Sequence, residues 1–178
     1  MVRSDAQGLD DAARVLNAGG VVVIPTDTVY GLAAHPAFPA AVERLYTIKG
    51  RAAKKPIALL AADAAAVRAF GYEVPQALAD RWPGALTVVV GPEGFRVPDH
   101  AWTRELLRRC GGVLRVTSAN LSGQRAATDA PRALADVGLS ADLVVDGGVS
   151  PGGVPSTVVR VRDDGMCETL RAGAVTVA

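Results

Sequence analysis

The sequence has few of the residues that most often bind metals, and it has no long apolar segment. Its two cysteines, Cys110 and Cys167, are far apart, and it contains only two histidines. This excludes the closely spaced His and Cys clusters of zinc-type sites. No run of about eighteen apolar residues predicts a transmembrane helix. Acidic residues near the start (Asp5, Asp10, Asp11) are unlike an export signal, so we expect a cytoplasmic protein without membrane contact.

Neither sign of charge dominates, with 19 Lys and Arg against 18 Asp and Glu and a formal net charge of +1. A protein that coats nucleic acid normally has a strongly basic surface, so this balance argues against that class. The distribution is more informative, because all three lysines fall within residues 49–55 and Arg51 lies between them. A local basic spot in a neutral chain favours a small anionic ligand.

Aromatic residues make up only 4% of the chain, so Val, Leu, Ile and Ala must fill the core. The length of 178 residues suits one domain, which we expect to span residues 1–178. Helical spacings alternate with apolar runs, which predicts an α/β fold with a twisted, mixed parallel and antiparallel sheet and flanking helices. Predicted helices cover residues 9–16, 42–49, 64–70 (with Asp63 as N-cap), 75–82, 102–109 and 131–137. Predicted strands cover residues 21–24, 57–61, 86–90, 113–117, 143–145, 157–161 and 167–170, the last of them antiparallel.

Three of the predicted strands lead into loops rich in hydroxyl groups. The loops carry Thr26, Thr28 and Tyr30 after the first strand, Ser118, Asn120 and Ser122 after the second, and Ser156 and Thr157 beyond the third. Ligands of open α/β sheets bind at the carboxyl ends of strands. Hydroxyl groups both donate and accept hydrogen bonds, which suits a substrate with ammonium, carboxylate and hydroxyl groups. We therefore expect one shared site, although each loop alone fits a polar turn or a helix N-cap equally well.

Cationic side chains and glycines close to these loops are candidates for binding an anion. Lys49-Gly50-Arg51 combines an ammonium with a planar guanidinium, and the glycines of residues 147–153 allow backbone amides to approach an anion. Arg96 precedes a rigid Val-Pro segment and Arg171 follows the last strand. Each of these cations alone also fits an ordinary surface position. The P-loop and dinucleotide-binding glycine patterns are absent, and His100 and Cys110 lack the context of a nucleophilic site.

Taken together, seven segments occur in the order and spacing of the YrdC-like family, and the match covers nearly the whole chain. The chain resembles the short bacterial members, which lack the additional C-terminal domain of longer relatives. The resemblance implies a twisted α/β sheet with a large, concave, positively charged cleft. The matching segments are residues 25–31, 49–51, 82–87, 96–100, 118–123, 146–148 and 156–158.

The resemblance also implies an enzyme, a nucleotidyltransferase that converts L-threonine, bicarbonate and ATP to L-threonylcarbamoyladenylate and pyrophosphate. The product would supply a tRNA-modifying threonylcarbamoyl transferase complex, which forms N6-threonylcarbamoyladenosine in tRNA. By match with the family motifs, the expected threonine-binding residues are Thr26, Thr28, Tyr30, Arg96, Ser118 and Ser156. The expected ATP-binding residues are Lys49, Arg51, Asn120 and Arg171, and Lys49 and Arg51 are also expected to be catalytic.

The chemistry of this reaction suits the expected cations. Threonine must first become a carbamate, whose oxygen then attacks the α-phosphorus of ATP. Because both reactants are anions, the protein must neutralise charge and align them rather than supply a nucleophile. No cluster of Asp and Glu forms a metal cage in the sequence, so we expect Mg²⁺ to be held mainly by ATP phosphates and water.

Two other functions stay open at this point. A non-catalytic accessory module could use the same cleft to bind RNA or tRNA, although the near-zero net charge and few aromatic residues argue against it. Weak RNA binding by an enzyme also stays open. The second alternative is the carbamoyl-adenylate chemistry of YrdC-like domains in carbamoyltransferases, which are larger multidomain chains.

Several positions depart from the family pattern. Pro155 stands where a glutamate is usual and Arg160 where an aspartate is usual, while Ala52 and Ala172 replace common prolines. The stretch of residues 91–95 is also short. We expect these departures to change loop geometry and the covering of the adenine or ribose more than the chemistry.

Overall fold

Helices and strands are interspersed along the chain, as predicted for an α/β fold. The structure is a computed structural model that describes residues 1–50 and 56–177, and none of the helices in these ranges is long and apolar enough to cross a bilayer. The helices are α1 (Ala6–Asn17), α2 (Pro39–Lys49), α3 (Ala64–Ala69), α4 (Gln76–Ala79), α5 (Ala101–Arg109) and α6 (Ala130–Asp136). The strands are β1 (Val2–Arg3), β2 (Val21–Ile24), β3 (Gly31–Ala34), β4 (Leu59–Ala61), β5 (Leu86–Val90), β6 (Glu93–Arg96), β7 (Val113–Ser118), β8 (Leu143–Asp146), β9 (Thr157–Val161) and β10 (Cys167–Arg171).

The strands form one mixed sheet in the order β1-β8-β2-β3-β7-β4-β6-β5-β9-β10. Four neighbouring pairs are parallel: β1–β8, β2–β8, β4–β6 and β5–β9. The pairs β2–β3, β3–β7, β4–β7, β5–β6 and β9–β10 are antiparallel. The α/β fold with a mixed sheet and flanking helices is therefore confirmed, as is the antiparallel pairing at the end of the chain.

Strand β2 is buried on both faces, which explains its continuous apolar sequence. Val22 and Ile24 pack in one core with residues of α1 and α5, whereas Val21 and Val23 pack in a second core with residues of α2 and α6. All four side chains are fully buried. Successive side chains of a strand point to opposite faces, so a strand covered on both sides must be apolar throughout.

Three short strands, β1, β3 and β6, are missing from the sequence prediction. The sequence of β3 is Gly-Leu-Ala-Ala and that of β6 is Glu-Gly-Phe-Arg, so neither contains the β-branched residues that favour strands. Both strands lie between two partners in the sheet, β3 between β2 and β7 and β6 between β4 and β5. Pairing on both sides therefore overrides weak local preference. The predictions of a strand over residues 57–61 and a helix over residues 75–82 are too long, because β4 and α4 are shorter.

The short stretch of residues 91–95 is mostly strand rather than a turn. Strands β5 and β6 pair with Val90 opposite Glu93, so only Gly91 and Pro92 form the turn. Gly91 has a φ of 58°, which lies in the left-handed region that a two-residue hairpin turn requires. The short stretch thus makes a tight hairpin.

Side chains cap the first turns of several helices. Asp5, Asp63 and Asp129 accept hydrogen bonds from backbone N–H groups of α1, α3 and α6 at 2.8–2.9 Å. The Asp63 cap confirms the sequence prediction. The N-cap of helix α5 is His100, whose Nδ1 accepts a hydrogen bond from the Thr103 N–H at 3.3 Å. Such caps satisfy donors that have no partner within the helix.

The His100 cap makes a testable link between pH and stability. Burial lowers the pKa of the His100 imidazole, against the opposing effects of Asp27 and Asp99. The unfolded chain therefore binds a proton more readily than the native protein, and stability falls as the pH drops below the unfolded pKa of about 6.5. We expect the free energy of unfolding, measured with urea, to fall between about pH 7.5 and about pH 5.5 in the wild-type protein. The fall should be smaller in His100→Asn, which keeps a capping oxygen but has no imidazole to titrate. An equal fall in both proteins would contradict this assignment.

Candidate active site

A cavity of about 590 Å³ opens on one face of the sheet, a volume within the usual range of small-ligand sites. Its lining comes from β4, β5, β6, β7 and β9, from the connection between β2 and β3, and from the end of β10. Seven of the sequence-predicted site residues line it: Thr26, Thr28, Tyr30, Arg96, Ser118, Ser156 and Arg171. The structure thus brings residues that are distant in sequence to one hollow, as the shared-site hypothesis requires.

The cavity contains both charged and apolar surface. Its charged lining residues, among those that the structure describes, are Arg96, Arg160 and Arg171. Much of the remaining wall is small and apolar, and includes Ala58, Val89, Gly94, Val116 and Val158. A positive potential over the whole cleft stays a prediction.

The connection between β2 and β3 is shaped by its own threonines. The Thr26 hydroxyl donates to the Val29 carbonyl at 2.7 Å and accepts from the Thr28 N–H at 3.2 Å. Thr26 and Thr28 are both buried, and their hydroxyl oxygens are 3.1 Å apart. These short-range contacts fix the loop in the form that directs the Thr28 hydroxyl toward Arg96.

Arg96 is buried at the end of β6 and is held by three partners. Its Nε donates to the Gly84 carbonyl at 2.9 Å, its Nη1 donates to the Thr28 hydroxyl at 2.8 Å, and its Nη2 forms an ion pair with Asp27. Burial lowers the pKa of the guanidinium, whereas the charge of Asp27 and its hydrogen bond raise it. These contacts, rather than the following Val97-Pro98 segment alone, hold the guanidinium in place.

Tyr30 links the first loop to the glycine-rich loop that follows β8. Its hydroxyl donates to the Gly148 carbonyl at 2.6 Å and accepts from the Gly147 N–H at 2.9 Å. Burial raises the pKa of this phenol, which keeps its proton for the first of these bonds. Tyr30 thus lines the cavity, and its hydroxyl fixes the neighbouring loop.

The amides of the glycine-rich loop bind the protein itself. The Gly152 N–H donates to the Asp27 carbonyl at 3.0 Å and the Gly153 N–H donates to the Thr28 carbonyl at 2.8 Å. The Gly148 N–H donates to the Asp146 carboxylate at 2.9 Å. The Gly152 and Gly153 amides therefore fasten the two loops together. That glycine amides of this loop approach an anionic ligand stays a prediction.

Ser156 directly precedes β9 and lies between two polar neighbours. Its hydroxyl oxygen is 2.8 Å from that of Thr87 on β5. Arg171, at the end of β10, donates through Nη2 to the Ser156 carbonyl at 2.7 Å and to its hydroxyl at 3.3 Å. The structure thus joins three strands around one serine.

Lys49 is buried behind the cavity wall at the end of α2. Its ammonium donates to the main-chain carbonyls of Ser118 and Asn120, the latter at 2.7 Å. The Asn120 amide donates to two carbonyls of its own turn at 2.8 and 2.9 Å. These contacts fix the turn after β7, from which Ser118 faces the cavity. Lys49 and Asn120 lie outside the described cavity lining, and Arg51 lies within residues 51–55, outside the described part of the chain.

Sequence reasoning missed two polar groups of the site, Asp27 and Thr87. Asp27 lies inside the Thr-Asp-Thr segment and pairs with Arg96, while Thr87 closes the Trp-Pro-Gly-Ala-Leu-Thr segment and contacts Ser156. Both segments belong to the family pattern, but the sequence does not show that these side chains find partners about 70 residues away. Cys110 is a core residue, as predicted. Its burial raises the pKa of the thiol to about 11, which keeps the thiol protonated.

The Arg96–Asp27 ion pair should be important for stability. The two side chains are only 7% and 12% exposed, so replacement of Asp27 by Asn leaves a buried cation without its counter-charge. We expect Asp27→Asn to lower the free energy of unfolding by roughly 3 kcal/mol. The control is Asp136→Asn, which removes the partner of the 54% exposed Arg132, and it should cost about 0.5 kcal/mol or less. If urea unfolding showed a similar loss of unfolding free energy in Asp27→Asn and Asp136→Asn, the special importance of the buried ion pair would be refuted.

Comparison with known proteins places this arrangement in a family. The Sua5/YciO/YrdC family model, described as "Telomere recombination", matches residues 14–173. The human threonylcarbamoyl-AMP synthase is 35% identical over 94% of this chain and 67% of that protein. A Mycobacterium leprae protein, provisionally given the same name, is 35% identical over 97% of this chain and 86% of that protein.

A solved structure agrees with these relatives. The crystal structure of Pyrococcus abyssi Sua5 complexed with L-threonine superposes with a TM-score of 0.87 at 30% identity. The superposition covers 95% of this chain but 55% of the Sua5 chain, so this chain spans about half of that protein. The family model covers well over half of the sequence, and the superposition supports the same fold. The chain therefore belongs to the Sua5/YciO/YrdC family.

Proposed function

We propose that this chain is a threonylcarbamoyl-AMP synthase, which joins L-threonine, bicarbonate and ATP into L-threonylcarbamoyladenylate and releases pyrophosphate and water. The names of the human and Mycobacterium leprae relatives and the threonine complex of Pyrococcus abyssi Sua5 support this function. The observation that carries it is the convergence of the threonine and serine hydroxyls with Arg96 and Arg171 on one cavity. A fold alone would not suffice, because one fold serves many functions.

We assign L-threonine to the polar end of the cavity. Arg96 has five N–H groups, and its contacts with Gly84, Thr28 and Asp27 leave N–H groups for a substrate carboxylate. Ser118 and Ser156 also line the cavity and supply hydroxyls for the amino acid. Thr26 and Tyr30 act mainly through the loops that they hold, because their hydroxyls already bind backbone groups.

We assign the ATP phosphates to Lys49, Arg51, Asn120 and Arg171. Arg171 lines the cavity beside Ser156. In this proposal its guanidinium lies between the two substrates. The Lys49 ammonium lies at the turn after β7 and adds positive charge directly behind Ser118. This position allows it to attract a phosphate at that turn while it holds the backbone in place.

The proposed reaction needs alignment more than acid–base chemistry. The threonine amine attacks the bicarbonate carbon, and the carbamate that results attacks the α-phosphorus of ATP while pyrophosphate leaves. Both partners of the second step are negatively charged, so the arginines must reduce their repulsion and hold them in line. A nucleophilic side chain is not needed for either step.

Mg²⁺, cellular location and partners complete the proposal. Among residues 1–50 and 56–177, no three His, Cys, Asp or Glu side chains are close enough together to hold a metal ion. We therefore assign Mg²⁺ to the phosphates of ATP and to water, where it would offset their charge. We place the single domain of residues 1–178 in the cytoplasm, where a tRNA-modifying transferase complex would receive the adenylate.

The activity has a direct test. Incubation with ATP, L-threonine, bicarbonate and Mg²⁺ should release pyrophosphate and form the adenylate, and omission of threonine or bicarbonate should abolish both. Lys49→Ala and Arg51→Ala should each lower turnover by about a hundredfold or more, because each removes a cation from the phosphate site. The control is Arg14→Ala, which alters a 73% exposed side chain on α1 and should retain turnover. Pyrophosphate release that does not depend on threonine would overturn the proposal.

The same preparation separates the alternatives. A non-catalytic RNA-binding module would bind tRNA with an affinity that falls steeply with salt and would form no adenylate. A carbamoyl-adenylate enzyme would use carbamoyl phosphate in place of threonine and bicarbonate. Adenylate formation that requires threonine contradicts both.

A further inference from the structure

Two hydroxyl groups lie side by side in the cavity wall. Parallel pairing places Thr87 of β5 opposite Val158 of β9. Ser156 comes two residues before Val158, so its side chain lies on the same face of the sheet as that of Thr87. Their oxygen atoms are 2.8 Å apart, and either hydroxyl can be the donor. Both residues line the cavity and each is only 6% exposed, so the pair is a fixed part of the wall.

The hydrogen-bond capacity of this pair defines what it offers to a ligand. A hydroxyl has one hydrogen and two acceptor lone pairs, and one lone pair of Ser156 receives the Arg171 Nη2 donor. If Thr87 donates to Ser156, Ser156 keeps its hydrogen for the cavity and Thr87 keeps lone pairs. If Ser156 donates, the roles are exchanged. In both cases the pair presents one donor and one acceptor next to each other.

A carbamate has the matching pattern. Along one edge of its planar –NH–COO⁻ group, the N–H donor lies beside a carboxylate oxygen acceptor. A free amine lacks this edge. Bicarbonate has a comparable O–H and oxygen edge, but only the carbamate joins it to the threonine carboxylate that Arg96 is proposed to bind. We infer that the Thr87–Ser156 pair binds the N–H and oxygen edge of the threonine carbamate, with Thr87 as a second binding group beside Ser156. This inference rests on the proposed synthase function and assigns the intermediate of that reaction to named side chains.

The inference gives the pair a role in the first chemical step. The nitrogen lone pair attacks the bicarbonate carbon, a C–N bond forms, and the C–OH bond breaks. The departing hydroxide takes a proton from the nitrogen and leaves as water. Two contacts along one edge hold the carbamate plane, so its other oxygen is directed away from the pair toward the phosphate. The carbamate makes these contacts and the carboxylate contact with Arg96 within one molecule, so the pair favours the joined state over the separate reactants.

The test uses Thr87→Val, which keeps the shape of the side chain and removes its hydroxyl, and Thr87→Ser, which restores the hydroxyl. L-threonine is titrated into each protein by calorimetry with and without bicarbonate, in the absence of ATP. In the wild-type protein and in Thr87→Ser, bicarbonate should strengthen threonine binding about tenfold, as expected for added hydrogen bonds to a charged group. In Thr87→Val this enhancement should disappear, while affinity without bicarbonate stays within about twofold.

A second measurement and a control separate this role from simple packing. Thr87→Val should lower kcat for adenylate formation about tenfold with little change in the KM for threonine. The control, Thr103→Val, removes another buried threonine hydroxyl, which donates to the Pro25 carbonyl outside the described cavity lining, and should keep the bicarbonate effect.

Each outcome decides the matter. Retention of the bicarbonate effect in Thr87→Val, an equal weakening with and without bicarbonate, or no bicarbonate effect in the wild-type protein would each overturn the inference and leave the synthase proposal intact. Failure of the wild-type protein to bind threonine and to release pyrophosphate would instead overturn the proposed function, and the inference with it.

Discussion

The buried guanidinium of Arg96 is the contact on which the shape of the site depends. It joins the end of β6 to the β2–β3 connection through Asp27 and Thr28, and to the segment before β5 through the Gly84 carbonyl. A charge out of contact with water is strongly unfavourable without a counter-charge and hydrogen bonds, so all three partners must stay in place. Because the buried charge needs all three partners, Arg96 fixes three separate segments around the cavity.

The loops around the cavity are fastened to one another before any ligand binds. Gly152 and Gly153 donate to the backbone of residues 27 and 28, and Tyr30 bonds to the opposite loop. The segment after β10 passes so close to Ser156 that a Cβ at Gly173 would overlap the Pro155 carbonyl. A site with its loops already ordered loses less conformational entropy on binding, and its donors need little rearrangement during the reaction.

Sequence reasoning predicts the parts of this molecule that depend on local pattern. The buried run of β2 and the Asp63 cap each follow from a few neighbouring residues, and the structure contains both. The order of the sheet does not follow, because β3 and β6 have weak strand propensity and form through pairing with strands distant in sequence. The ion pair of Arg96 with Asp27 also does not follow from local pattern, because the two residues are 69 positions apart in the sequence. The sequence predicts that Lys49 binds ATP, but it gives no sign that the ammonium also donates hydrogen bonds to backbone carbonyls.

The near-neutral charge of the chain is compatible with the proposed reaction between two anions because of where the charges lie. A formal net charge of +1 gives little long-range attraction. Within the cavity, however, Arg96 and Arg171 face a wall built largely from small apolar side chains such as Val89, Val116 and Val158. Charges interact more strongly beside apolar surface than in water, since fewer solvent dipoles screen them. A small number of cations in such a setting can therefore offset the repulsion between the two anions. The rest of the protein surface then does not need to be basic.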